Sequence, residues 1–123
     1  MKPTIFFDGG CPLCRREIGH YRRLEAGDRC RWVDISLEPE VLAAYRIDYG
    51  EAMARLHAVD AQGAVVSGVA AFVVTWRELP GYRHLARLLE RFALVPFVDR
   101  IYVRFAAWRL RRRCREGTCL PRG

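Results

Sequence analysis

Short runs of consecutive apolar residues alternate along the chain with stretches in which apolar positions recur every three or four residues. The first run, Lys2 to Phe7, reads as a buried strand that ends at the loop signal Asp8-Gly9-Gly10. A helix is expected from Pro12 to about Ala26, stopping at Gly27-Asp28, because proline suits a first helical turn. On it Leu13, Ile18, Tyr21 and Leu24 share an apolar face, and Arg15, Arg16, Arg22 and Arg23 point elsewhere. Arg31 to Ile35 reads as a second strand, with Trp32 and Val33 as its apolar members. Glu38 to Ile47 reads as a short helix capped by Ser36. Ala54 to Val59 and Ala64 to Val66 follow as strands around Asp60-Ala61-Gln62-Gly63, a hairpin signal.

Beyond Gly68 the pattern becomes helical. Val69, Phe72, Val73 and Trp76 keep helical spacing up to the break at Pro80-Gly81. A helix from about Tyr82 to Phe92 is expected to turn Leu85, Leu88, Leu89 and Phe92 inward, and a longer one runs from Pro96 to about Arg113. Strand, helix, strand, helix, two strands and then helices predicts an α/β fold of thioredoxin-like type: a central mixed sheet of about four strands flanked by helices. A single domain is expected over residues 1–123, with extra C-terminal helices forming a basic extension from about residue 82. That extension reads as an added cap or partner surface.

Apolar residues make up 51% of the chain, enough for a core without disulfide staples, so the five cysteines need another explanation. The N-terminus carries no recognisable secretory leader, and Val69 to Trp76 is far shorter than the about 20 residues that span a bilayer. The expected setting is therefore a cytoplasmic, reducing one. Charge is uneven. Residues 1–79 hold ten Lys and Arg against eleven Asp and Glu, whereas residues 80–123 hold eleven Arg against three acids. The basic third suits an acidic partner or an anionic membrane surface. Nucleic acid is disfavoured, since no recognition motif accompanies the charge.

The chemistry concentrates in Asp8-Gly9-Gly10-Cys11-Pro12-Leu13-Cys14. A Cys-x-x-Cys pair that follows a strand and opens a helix is in the context of a redox dithiol. Cys11 falls at the helix N-terminus, where unpaired N–H groups and the helix dipole favour a thiolate, and Arg15 and Arg16 add positive charge. Cys14, one turn in, is expected to be less exposed and less ionised. Cys11 would attack a disulfide and Cys14 would resolve the mixed disulfide. Asp8 either accepts a proton from Cys14 or organises the turn. Gly9 and Gly10 are expected to allow unusual dihedrals and close substrate approach, and Pro12 to start the helix.

The stretch Ile5 to Cys14 resembles the signature of the DCC family of predicted thiol-disulfide oxidoreductases, named for an Asp-x-x-Cys-x-x-Cys motif matched by Asp8, Cys11 and Cys14. Gly68-Val69-Ala70-Ala71 and the arginine-bearing last helix also look like family features. The resemblance implies a thioredoxin-like fold and dithiol-disulfide exchange with a disulfide-containing protein or small thiol. Better-known thioredoxin relatives place a cis-proline opposite the dithiol. No proline lies between Pro39 and Pro80 here, so Glu51, Ala52 or Met53 is expected to fill that place.

Other candidates are weaker. Cys114 and Cys119 are open to three readings: a second exchanging pair, ordinary tail thiols, or partners of Cys11 and Cys14 in a four-thiolate zinc site. The strand-to-helix setting of Cys11 and Cys14 favours redox over metal. Cys30 reads as a buried structural thiol. His20, His57 and His84 have no ligand-like spacing, and Trp32, Trp76 and Trp108 are expected in the core, with Trp32 alternatively flanking the dithiol. On the last helix Arg100, Arg104, Arg111 and Arg115 gather near one face, and Val98, Ile101, Phe105 and Trp108 near another. No cofactor motif is present, so electrons would come from a separate donor.

Overall fold

The computed structural model describes residues 2–115, with side chains to residue 112. Its elements are β1 (Thr4–Phe7), α1 (Pro12–Leu24), β2 (Arg31–Asp34), α2 (Val41–Ala44), α3 (Tyr49–Ala54), β3 (His57–Val59), β4 (Val65–Ser67), α4 (Val69–Arg77), α5 (Tyr82–Arg91) and α6 (Val95–Arg115). The strands form one sheet in the order β2-β1-β3-β4, with β1 parallel to β2 and the other pairs antiparallel. A mixed four-stranded sheet entered by β-α-β and completed by a hairpin is the thioredoxin-like α/β arrangement expected from the order of elements.

Central strand β1 explains the layering. Successive side chains of a strand face opposite sides, so Ile5 enters a core with β3, α4, α5 and α6, while Phe6 enters another with β2, α2 and α3. Both residues are fully buried. The sheet is thus covered on both faces, and this packing fixes where β1 ends and the following loop begins.

Helix α6 is fixed to the sheet at three levels. Asp99 Oδ1 accepts from the Val69 N–H at 2.9 Å, capping α4 from outside. Gly68 makes room for this contact: its φ is 66°, and a Cβ there would stand 2.2 Å from Asp99 Oδ1. One turn on, the Tyr102 hydroxyl accepts from the Leu56 N–H at 2.7 Å, and Ala106 is buried a further turn along. The same helical face continues to Arg109.

Several expectations need correction. Glu38 to Ile47 is not one helix. Only Val41–Ala44 is helical, and Ser36 does not cap it: Ser36 is buried and its hydroxyl donates to Asp34 Oδ1 at 2.6 Å. The following segment, Tyr49–Ala54, is helix α3, capped by Asp48 accepting from the Glu51 N–H at 3.1 Å; it takes Ala54 from the strand expected to begin there, and β3 is only His57–Val59. On α5 only Ala86 and Leu89 are buried, and Leu85, Leu88 and Phe92 face outward, because one narrow stripe meets α4. On α1, Ile18 and Tyr21 are buried but Leu13 and Leu24 are exposed. Trp108 is 44% exposed and does not join the core, because the inward face of α6 is taken by Tyr102 and Ala106.

Candidate active site

The loop joining β1 to α1 is built around two carboxylates. Asp8 Oδ1 accepts from the Gly10 N–H at 3.0 Å, and the Asp8 carbonyl accepts from the Cys11 N–H at 3.1 Å. Asp34, at the end of β2 and in register with Phe7, sends Oδ1 to the Gly9 N–H at 2.9 Å and to the Ser36 N–H at 3.0 Å. Asp8 thus ties the turn together through its contact with Gly10. Neither Gly9 nor Gly10 has a positive φ. Gly9 is needed for space instead, since a Cβ on it would lie 1.8 Å from Asp34 Oδ2.

Cys11 is the N-cap of α1, and Pro12 opens the helix. The Cys11 sulfur accepts from the Cys14 N–H at 3.4 Å. Hydrogen bonding from the Cys14 thiol, backbone N–H groups and the Arg109 guanidinium together outweigh burial and hold Cys11 down to about 6. The same thiol-to-thiol bond, reinforced by burial, pushes Cys14 far above the ordinary thiol range. Arg109 lies against the pair, with Nη1 donating to Cys14 Sγ at 3.1 Å and Nη2 to the Met53 carbonyl at 3.4 Å. One thiol held ionised beside one held protonated is an asymmetry suited to exchange chemistry.

Beside Cys14 a cavity of about 20 Å³ is bordered by Asp8, Cys14, Glu17 and Arg109 and otherwise by apolar side chains such as Phe6, Ile18 and Phe72. That volume suits a single water. Glu17 stands one turn after Cys14 on α1. It accepts from the Tyr21 hydroxyl at 2.9 Å, which in turn accepts from Trp76 Nε1 at 3.0 Å. Burial raises the Glu17 carboxyl above its ordinary range.

Sequence reasoning missed Arg109, Asp34 and Glu17. The signal for Arg109 was its place on the Tyr102–Ala106 stripe of α6, where an arginine interrupts an inward face. Arg15 and Arg16 are exposed, and the cation that reaches the sulfurs comes from α6 instead. The segment before β3 also differs from expectation. Glu51, Ala52 and Met53 lie within α3, so extended Arg55 and then Leu56 lead into the strand, and the Leu56 N–H is taken by Tyr102. There is no cis peptide bond among the described residues.

Cys30 is buried, and burial pushes its thiol up to about 12. Trp32 bonds Glu25 at 3.3 Å and does not flank the dithiol. His57 is buried, and its Nδ1 donates to the Arg55 carbonyl at 3.0 Å. Ile101, Phe105 and Trp108 face outward on α6, while Val98 packs against the core. The Cys114 side chain and Cys119 lie outside the described residues, as does the Arg115 side chain. Among the described residues no three His, Cys, Asp or Glu side chains gather as a metal site, and no helix is long and apolar enough to cross a membrane.

A family model described as DCC1-like thiol-disulfide oxidoreductase matches residues 5–115. An uncharacterised chloroplastic protein of Arabidopsis thaliana is 32% identical over 113 residues, which cover 89% of this chain and 51% of that protein. The chain therefore spans about half the length of that relative. No solved structure matches.

Proposed function

The chain belongs to the DCC1-like thiol-disulfide oxidoreductase family, and from that premise we propose that Cys11 and Cys14 exchange a dithiol for a disulfide, with Cys11 as the attacking thiolate. The carrying observation is the arrangement around the Cys11 sulfur, which receives the Cys14 N–H at a helix N-terminus with Arg109 beside the pair. In the first step Cys11 attacks one sulfur of a substrate disulfide, forming a mixed disulfide and releasing one thiolate. Cys14 then gives up its proton and attacks the Cys11 sulfur, closing the Cys11–Cys14 bond and releasing the second thiolate. Asp8 and Glu17, at the water-sized cavity beside Cys14, offer a route for that proton. Arg109 stabilises negative charge at Cys14 as it forms.

A four-thiolate zinc centre would have to recruit Cys114 and Cys119. The pairing of Cys14 with a guanidinium argues against a metal at that sulfur, since both would compete for it. The expected partners are a disulfide substrate and a separate electron donor.

A trapping experiment tests the assignment of roles. Cys14→Ser is expected to accumulate a mixed disulfide on Cys11 when given a small disulfide, seen as an adduct by intact mass, whereas Cys11→Ser forms none. Adduct formation on Cys14 in the Cys11→Ser variant, at the wild-type rate, would reverse the roles.

A further inference from the structure

We propose that the outer face of the first three turns of α6 docks on an anionic lipid surface. Phe97, Ile101 and Phe105 enter the headgroup region, and Arg100 and Arg104 pair with lipid phosphates. The proposal stands apart from the dithiol, so its failure leaves the exchange reading untouched.

The way the fold uses α6 creates this face. Val95, Val98, Tyr102 and Ala106 form the stripe that packs into the core. Phe97, Ile101 and Phe105 recur at four-residue spacing on a second stripe and stay 63%, 60% and 40% exposed. Phe92 and Leu94, in the corner that leads from α5 into α6, are exposed as well, so apolar surface continues past the start of the helix. Contiguous apolar surface of this kind marks an interaction site.

Charge names the occupant. Arg100 and Arg104 lie one turn apart beside the stripe, and with Phe97 and Ile101 they line an open surface groove of about 200 Å³. Neither forms an ion pair with a described residue. Asp99 is the sole acid between Val95 and Arg115, and its Oδ1 is held by the Val69 N–H of α4. The face is therefore apolar and cationic, with no countercharge supplied by its own helix. A second copy docked face to face would set Arg100 and Arg104 of both copies against each other without an anion between them. A rigid protein partner would need a separate hollow for each projecting ring. A lipid surface deforms around such rings, and its phosphates offer guanidinium groups paired hydrogen bonds at the same depth. No helix among the described residues is long and apolar enough to cross a membrane, so the contact is one of α6 lying in the plane of the surface.

The test is co-sedimentation of the reduced full chain with vesicles of phosphatidylcholine alone and of phosphatidylcholine and phosphatidylglycerol in equal parts. The chain is expected to bind the mixed vesicles and not the neutral ones, more weakly as salt is added. Arg100→Ala combined with Arg104→Ala is expected to weaken binding about twentyfold at low salt. Phe97→Ser combined with Ile101→Ser is expected to weaken it about tenfold at low and high salt alike. Arg22→Ala combined with Arg23→Ala removes the same charge from α1 and is expected to change binding by less than about threefold. All six side chains are exposed, and circular dichroism checks that each variant is folded. No binding to the mixed vesicles, or equal loss in the α1 and α6 arginine variants, would overturn the proposal. Displacement from the vesicles by polyglutamate, with Phe97 and Ile101 dispensable, would assign the face to an acidic polypeptide instead. A dimer in sedimentation equilibrium that Phe97→Ser with Ile101→Ser dissolves would assign it to a second copy, and either result overturns the lipid assignment.

Discussion

Replacing Arg109 with glutamine removes the one guanidinium that, among the described residues, lies within bonding distance of a dithiol sulfur, and leaves a shorter, uncharged polar side chain. Arg109 ranks behind hydrogen bonding from Cys14 among the influences that lower Cys11. A nearby opposite charge shifts a pKa by about 1–3 units, so its loss is placed at the low end and should carry Cys11 from about 6 to about 7. Two consequences oppose each other. At about pH 5 the ionised fraction falls about ninefold. Each surviving thiolate becomes about threefold more nucleophilic, because reactivity rises with basicity at a Brønsted slope of about 0.4–0.5. The variant should therefore react about threefold more slowly than wild type near pH 5, equally near about pH 6.5, and two to threefold faster near about pH 8. Iodoacetamide alkylation of Cys11, followed by peptide mass spectrometry across this range, gives both curves. A change in access to Cys11 alone would scale a curve without moving its midpoint. Arg109→Gln and wild-type curves with the same midpoint would refute the electrostatic role of Arg109.

The loop and the pH dependence of stability give further expectations. Gly9→Ala should cost about 2–4 kcal/mol by driving a Cβ into the Asp34 carboxylate, and much less in an Asp34→Ala background, so a double-mutant cycle by urea unfolding should show strong coupling. Additive costs would mean that the contact is not the cause. For Cys11 the folded pKa is depressed from 9.0 to about 6, so its contribution is complete above the unfolded value and is lost as pH falls through about 6. Cys14, shifted upward, stays protonated throughout that interval. Unfolding midpoints at about pH 8 and about pH 5 should therefore differ more in wild type than in Cys11→Ser, and equal differences would contradict the depressed thiol.

Local features of the site were legible in the sequence, and its long-range ones were not. A strand ending in Asp8-Gly9-Gly10 and a proline one residue after Cys11 place that cysteine at an N-cap without knowledge of the rest of the fold. The order of elements carried the sheet, because a β-α-β start followed by a hairpin leaves few arrangements. Arg109 is 95 residues from Cys14, and its position depends on where α6 docks, which Asp99 and Tyr102 decide through contacts with Val69 and Leu56. Asp34 matters only because β2 lies in parallel register beside β1, which sets it next to Gly9. The helix expected over Glu38 to Ile47 was drawn too long and α3 was not foreseen, because neither short helix has enough turns to establish a period, although Asp48 followed by Glu51 had the spacing of a capping box. Exposure of Leu85, Leu88 and Phe92 shows how an amphipathic pattern names a face without saying what covers it.

The central claim is that Cys11 and Cys14 form one reversible redox pair. Its most direct test is to titrate the chain in defined dithiol-disulfide buffers, with Cys30, Cys114 and Cys119 changed to serine, and to read the oxidation state by alkylation and intact mass. A single two-electron transition, with the Cys11–Cys14 disulfide as its oxidised form and full recovery of both thiols on reduction, is the expected result. Two thiols that are modified independently, with no intramolecular disulfide at any potential, would contradict it.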